Sequence, residues 1–338
     1  MNSPSLDRNP AQGCITQGTK QLVVFDTNAY RNLTFGLTTD ESRKMARKLA
    51  DAELACGTKA LVNPFVIWEL VAHLANSCDP AYENCMNSVV ALVEHTRLPA
   101  DHLGGVCRAA DGETEICRQL FNRIPPIAEQ NCANLCKLAS YVWREAPTLS
   151  DSNALTNFQV FSAEMDKKEA AWLNHIEALL IAFRTLDASC TTPEAQKNEM
   201  KKRRAHINGP GFIRQTALGK VISCACLFSL TLSEVELKTA GDRMEMIFPT
   251  SLKLMQKTIA GWFDAPDMDL RNPNRKRGNF IWDTALCFGI GADHAVGGAK
   301  ILFVTDDDAI SKAAIQAGCS DRVMKFNDYL KGVLPPTS

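Results

Sequence analysis

Aromatic side chains make up only 7% of this 338-residue chain, and none interleaves with its runs of lysine and arginine. A protein that stacks successive bases of a single strand needs such a platform, so that mode of binding is disfavoured. Charge of one sign is missing too, with 37 Lys and Arg against 38 Asp and Glu. Any polyanion must therefore be met by local basic patches rather than by the field of the whole protein. The most apolar internal run, residues 221–232, is far too short to span a bilayer. Residues 1–20 are polar and lack the apolar core of an export signal. The expectation is a cytoplasmic protein with no membrane association. The 13 cysteines are scattered and odd in number, which argues for reduced thiols rather than a secreted disulfide framework. Cys132 and Cys136 lie one helical turn apart, and Cys224 and Cys226 have no matching pair, so they read as small apolar fillers, not zinc ligands. No Ser/His/Asp or Cys/His set stands at a spacing that points to nucleophilic catalysis. No glycine-rich phosphate loop follows the first apolar run.

What remains is an ordinary globular composition, 46% hydrophobic and 22% charged, with two unusual segments. Residues 21–28 read Gln-Leu-Val-Val-Phe-Asp-Thr-Asn, and residues 301–308 read Ile-Leu-Phe-Val-Thr-Asp-Asp-Asp. Unbroken Val/Ile/Leu/Phe runs are the pattern of parallel strands buried on both faces. In open α/β sheets, ligands sit outside the carboxyl ends of such strands. Two buried strands that end on acids predict an acidic crevice, which is costly to assemble unless cations neutralise it.

Between these strands the periodicity predicts a helix over 42–55, a short strand over 60–62, and a helix over 65–76 opened by Asn63-Pro64. That last helix is apolar almost all round, with Glu69, His73 and Asn76 on one stripe. From about residue 82 to 265 the pattern is helical, clearest over 127–143 and 158–186. The end returns to alternating elements: a helix over 279–292 with Asp283 near its start, a strand over 300–305, a helix over 309–317, a strand over 322–326 and a closing helix. The expected fold is α/β: a parallel-sheet core from residues 1–80 and 266–338, with a large all-helical insertion over 81–265.

Four places carry acids that interrupt apolar segments: Asp26, Glu69, Asp283 and the run Asp306-Asp307-Asp308. Each has a purely structural explanation. Asp-Thr-Asn is good turn chemistry, and Glu69 reads as the solvated point of a buried helix. Asp283 gains from a helix dipole, and one of Asp306, Asp307 and Asp308 is expected to cap the helix that follows. Converging on one crevice, they match the oxygen-donor set that Mg²⁺ or Mn²⁺ requires.

These residues resemble the PIN-domain nucleases. The resemblance rests on the strand ending in Asp26-Thr27-Asn28 and on Glu69 in Asn-Pro-Phe-Val-Ile-Trp-Glu-Leu. It continues with Asp283 in Trp-Asp-Thr-Ala-Leu, then Phe-Val-Thr-Asp-Asp-Asp and the closing Arg-Val-Met-Lys-Phe-Asn-Asp-Tyr-Leu. It covers the two ends of the chain, and the helical stretch between them has no counterpart in it. It implies a PIN-like core in which Asp26, Glu69 and Asp283 are catalytic acids that hold Mg²⁺ or Mn²⁺. The fourth acid is Asp307, with Asp306 its rival for the metal. Asn28 and Thr305 are expected to orient those carboxylates through hydrogen bonds.

The implied activity is two-metal hydrolysis of phosphodiesters, with RNA as the expected substrate: an endoribonuclease of the toxin or defence kind, with a possible inhibitory protein partner. Three basic clusters are candidates for gripping phosphates: residues 43–48, residues 201–204, and Arg271 with Arg275, Lys276 and Arg277 just before Asp283. The alternative from another class is a non-catalytic PIN-like scaffold that binds RNA or protein. A haloacid-dehalogenase phosphatase needs Asp-x-Asp after its first strand, and Asn28 occupies the second position.

Overall fold

The computed structural model describes residues 18–97, 105–149, 152–265, 279–291, 295–296 and 298–334. Five strands form one sheet: β1 (Gln21–Phe25), β2 (Thr58–Leu61), β3 (Ala295–Val296), β4 (Ala299–Val304) and β5 (Val323–Met324). Buried at four of its five positions, β1 lies between β2 and β4 and runs parallel to both. β5 pairs parallel with the end of β4, and the short β3 pairs antiparallel with its start. The chain therefore leaves β1 to one side and returns on the other. The β1/β4 seam is the place where strand order reverses, which is where open α/β sheets leave a crevice.

Four helices follow the first strands: α1 (Thr27–Leu33), α2 (Thr39–Ala55), α3 (Pro64–Ala72) and α4 (Tyr82–Thr96). Local chemistry starts α2 and α3. Thr38 and Glu41 form a reciprocal capping box on α2. Asn63 accepts from the Phe65 amide and Pro64 occupies the first turn of α3. The helix expected over 65–76 stops at Ala72 and continues as one 3₁₀ turn, His73–Ala75.

The middle of the chain is helical, as expected: α5 (Gly112–Phe121), α6 (Pro126–Glu145), α7 (Ser152–Arg184), α8 (Pro193–Asn208), α9 (Pro210–Cys226), α10 (Glu234–Ile247) and α11 (Pro249–Phe263). Then come α12 (Asn279–Cys287), α13 (Asp308–Gln316) and α14 (Phe326–Val333).

Residue 81 is not a boundary of packing. From Cys85 to Thr96 every position of α4 is buried, and the main apolar core joins β1 and β4 to α3 and α4. That core runs on into Leu135, Leu138 and Val142 of α6 and Ala154 and Phe158 of α7. The periodicity that marks a helix does not say which core the helix joins. Two smaller cores lie among the later helices, one around Val221, Met244 and Phe248, the other around Ile176, Phe212 and Trp262.

α12 belongs to all three cores. Trp282, Leu286 and Cys287 enter the first, Phe288 just beyond its end the second, and Phe280 and Ile281 the third. Gly112, at the start of α5, lets that helix approach closely: a Cβ there would lie 2.8 Å from the Ala285 carbonyl oxygen. α12 is thus wedged in place, and it carries Asp283. Its helix ends at Cys287, short of the expected residue 292, which lies outside the described residues.

Candidate acidic site

The register of the β1/β4 seam pairs Phe25 with Val304, so the next residues, Asp26 and Thr305, stand side by side. Asp26 is the N-cap of α1, and its Oδ1 accepts from the Ala29 amide at 2.6 Å. Its Oδ2 accepts from the Thr305 hydroxyl at 2.5 Å. Thr305 in turn accepts from the Asp307 amide at 3.0 Å, so one buried hydroxyl ties the ends of both strands together. The immediate helix after β1 was not foreseen, because Asp-Thr-Asn reads equally as turn and as cap. Asp26 is buried, and loss of water pushes its carboxyl up to about 7 despite those two hydrogen bonds. Glu69 and Asp306 push the same way by charge repulsion.

Glu69 reaches the same crevice from α3. Its Oε2 accepts from the Thr27 hydroxyl at 2.5 Å. Burial raises its carboxyl, offset by the Thr27 hydrogen bond and by His73 and Arg31, while the charge of Glu169 adds to the rise. Asp283 is pushed up to about 8, by desolvation first and then by Asp307, Glu69 and Asp26. Aromatic packing on the back of the site fixes the two helices that carry these acids. The Trp282 ring lies 5.5 Å from both Phe65 and Trp68.

The triple aspartate divides its duties. Asp307 caps α13, its Oδ1 accepting from the Ile310 amide at 2.8 Å, and it acts electrostatically on Asp283. Asp306 accepts from Asn32 Nδ2 and from the Phe326 amide, both at 3.1 Å, and acts on Asp26. Asp308 is exposed and pairs with Lys325 at 2.7 Å, which holds its carboxyl below the usual range. Two of the three consecutive acids thus share a field with the other carboxylates.

The structure differs from expectation at Asn28, which stands exposed on α1. The hydrogen bonds expected of it come from Thr27 and Asn32 instead, because successive helix positions point about 100° apart. Glu169 of α7 was also missed, since nothing in its helical stretch marks it. Trp282 Nε1 donates to its Oε1 at 2.5 Å, and its charge reaches Glu69. α7 is anchored there by Trp68 Nε1, which donates to the Phe161 carbonyl at 2.7 Å, and by Lys168 lying 4.5 Å over the Trp68 ring.

Among the described residues no three His, Cys, Asp or Glu side chains gather tightly enough around one point to hold a metal ion. The acids share an electrostatic field, and Asp26, Glu69, Asp306 and Asp307 are each also engaged by a local donor. The donor chemistry is that of a hard divalent cation: carboxylate oxygens, those of Asp26 buried and those of Asp283 half-buried, raised first by desolvation and further by the neighbouring acids.

The basic clusters are mostly structural. Arg43 donates to the Trp143 carbonyl and lies 5.1 Å over its ring, and Arg47 pairs with Glu94 at 2.8 Å. Arg203 bonds the carbonyl of Phe183 at 3.0 Å, and Arg204 pairs with Asp264 at 2.6 Å. Lys44, Lys48, Lys201 and Lys202 remain exposed. Arg271, Arg275, Lys276 and Arg277 lie outside the described residues. No helix among the described residues is long and apolar enough to cross a membrane. The twelve described cysteines are free thiols.

Neither protein-family models, nor curated proteins, nor solved structures give a match to this chain. Any functional reading therefore rests on the site itself.

Proposed function

We propose that this chain is a divalent-metal-dependent nuclease of PIN-like fold that hydrolyses RNA. The observation that carries the reading is the meeting of Asp26, Glu69, Asp283, Asp306 and Asp307 in one field at the β1/β4 seam, with carboxyls raised to about 7 at Asp26 and about 8 at Asp283. Raised carboxyls in a crevice are a functional signature, and the cations near this one, His73 and Arg31, act on Glu69 and not on Asp26 or Asp283. Asp26, Glu69, Asp283 and Asp307, with Asp306 beside them, would hold Mg²⁺ or Mn²⁺. Bound there, the cation supplies Lewis acidity toward a phosphodiester oxygen and activates water. The chain's own part is to hold the carboxylates in place. Thr305 fixes Asp26, Thr27 fixes Glu69, the Phe326 amide fixes Asp306 and the α13 cap fixes Asp307. Near neutral pH Asp283 retains its proton, so cation uptake releases protons and strengthens as pH rises.

A non-catalytic scaffold is favoured by one observation: Asp307 caps α13, Asp306 accepts from the Phe326 amide at the start of α14, and the described acids do not close around a single point. The experiment that separates the readings is cleavage of structured RNA, single-stranded RNA and DNA, with Mg²⁺ or Mn²⁺ and with EDTA. Asp26→Asn and Asp283→Asn are run beside the wild type. The nuclease reading expects metal-dependent cutting of RNA, reduced on the order of a thousandfold in either variant. Intact polymer throughout, with RNA still bound and no metal uptake, leaves the scaffold.

A further inference from the structure

A second concavity opens among α7, α9, α11 and α12, away from the acids. It encloses about 620 Å³, a size suited to a small molecule. Its walls are apolar and aromatic: Trp172, Ile176, Phe183, Phe212, Ile259 and Phe280. Two ionisable side chains line it, Lys220 and His175, and no Asp or Glu does. The hollow between α6 and α7, about 660 Å³, differs in this respect, because Glu164 lines it along with Lys137 and Lys168.

Lys220 is half-buried, with its Nζ 4.0 Å from the centroid of the Trp172 ring. Among the described residues no carboxylate lies within ion-pair distance of it. Desolvation by the apolar walls lowers its ammonium to about 8, against weaker opposing effects of Cys224 and Glu113. The neighbouring hydroxyls are committed elsewhere. Thr216 donates to the Phe212 carbonyl at 2.9 Å and Ser223 to the Gly219 carbonyl at 3.0 Å. Gln215 is held by His206 at 3.1 Å. The cavity thus presents an apolar body and a single uncompensated cation with three N–H donors.

We propose that this cavity binds a small amphipathic anion, an apolar chain or ring system with one carboxylate head. The body lies among the aromatic walls and the head on Lys220 Nζ, with His175 at the rim. The aromatic face already offers the ammonium a partial partner, but a carboxylate supplies the opposite charge that the lining lacks. This site is independent of the nuclease reading.

The test is titration of the full chain with dodecanoate, dodecanol and dodecylammonium below micelle-forming concentrations. Tryptophan fluorescence reports binding and calorimetry reports stoichiometry. The proposal expects saturable binding of one dodecanoate per chain, at least about tenfold tighter than either comparison ligand. Lys220→Met is expected to erase that preference while dodecanol still binds. Gly219→Leu, at a position where an added Cβ meets nothing within 4 Å, fills the cavity and is expected to abolish binding of all three. That substitution favours the helix, so loss of fold is not the anticipated outcome. No saturable binding, equal affinity for the three head groups, or undiminished binding to the Gly219→Leu variant overturns the proposal.

Discussion

Two buried polar clusters flank the end of β1, and they are built on opposite principles. Phe25 faces one of them. Its ring lies 4.9 Å from His95 and 5.4 Å from both Tyr30 and Tyr329. There Glu53 accepts from Tyr329 Oη at 2.7 Å and is paired with His95 Nε2 at 2.8 Å, while His95 Nδ1 meets Tyr30 Oη at 3.1 Å. One acid is matched by an imidazole and phenols, and burial pushes both tyrosines up so that they stay neutral donors. Asp26, the next residue, faces the other cluster, where acid meets acid. Thr27 and Thr305 supply hydrogen bonds there but no positive charge. The first arrangement stabilises the fold. The second is tolerated by it, and crowded carboxyls whose proton release is delayed to about pH 7 and 8 persist where a counter-charge has work to do.

Substitution should separate the two clusters most sharply in stability. His95→Ala leaves Glu53 buried beside an empty space and is expected to cost about 3 kcal/mol. Asp283→Asn removes a repulsive charge and is expected to change stability by less than about 1 kcal/mol at pH 8, or to raise it. Urea unfolding of the two variants checks this. Equal losses would mean that Asp283 is a structural acid like Glu53.

The pH dependence sharpens the same contrast. Asp26 and Asp283 have folded-state carboxyls raised to about 7 and about 8 from an ordinary value of 3.8. Above that ordinary value the folded chain keeps protons that the unfolded chain has released. Stability therefore falls as pH rises from about 4 to about 8, by at most about 1.4 kcal/mol per pH unit for each group. Thermal melts across this window should show the decline, and Asp283→Asn should flatten its upper part. Mn²⁺ at pH 8 should restore Tm in the wild type and not in Asp26→Asn.

The smallest effects concern Asn28 on α1 and Thr305 just past the end of β4. Thr305→Val removes the donor on Asp26 and is expected to cost about 1 kcal/mol. It should also move the acid limb of the cleavage profile to higher pH, because Asp26 loses the hydrogen bond that favours its charged form. Asn28→Ala, on an exposed face, should fall within about 0.5 kcal/mol of wild type with its pH profile unchanged. A profile displaced by Asn28→Ala and not by Thr305→Val would reverse the roles assigned to these residues.

The amino-acid order by itself determined most of the elements, though not where each of them ends. Unbroken apolar runs made β1 and β4, Asn63-Pro64 opened α3, and the long 3.6-residue periodicity in the middle made α4 to α11. It also marked the acids, since a carboxylate that interrupts an apolar segment is visible locally. Tertiary structure alone decided the rest. The β1/β4 register chose Thr305 as the partner of Asp26, 279 positions away in the chain. Helix rotation chose Thr27 over Asn28 to hold Glu69. Packing drew α4 into the main core and brought Glu169 to Trp282. Local pattern records which face of an element is apolar. It does not record which distant element that face will meet, because that contact is set by the packing of whole layers and leaves no periodic trace in either segment.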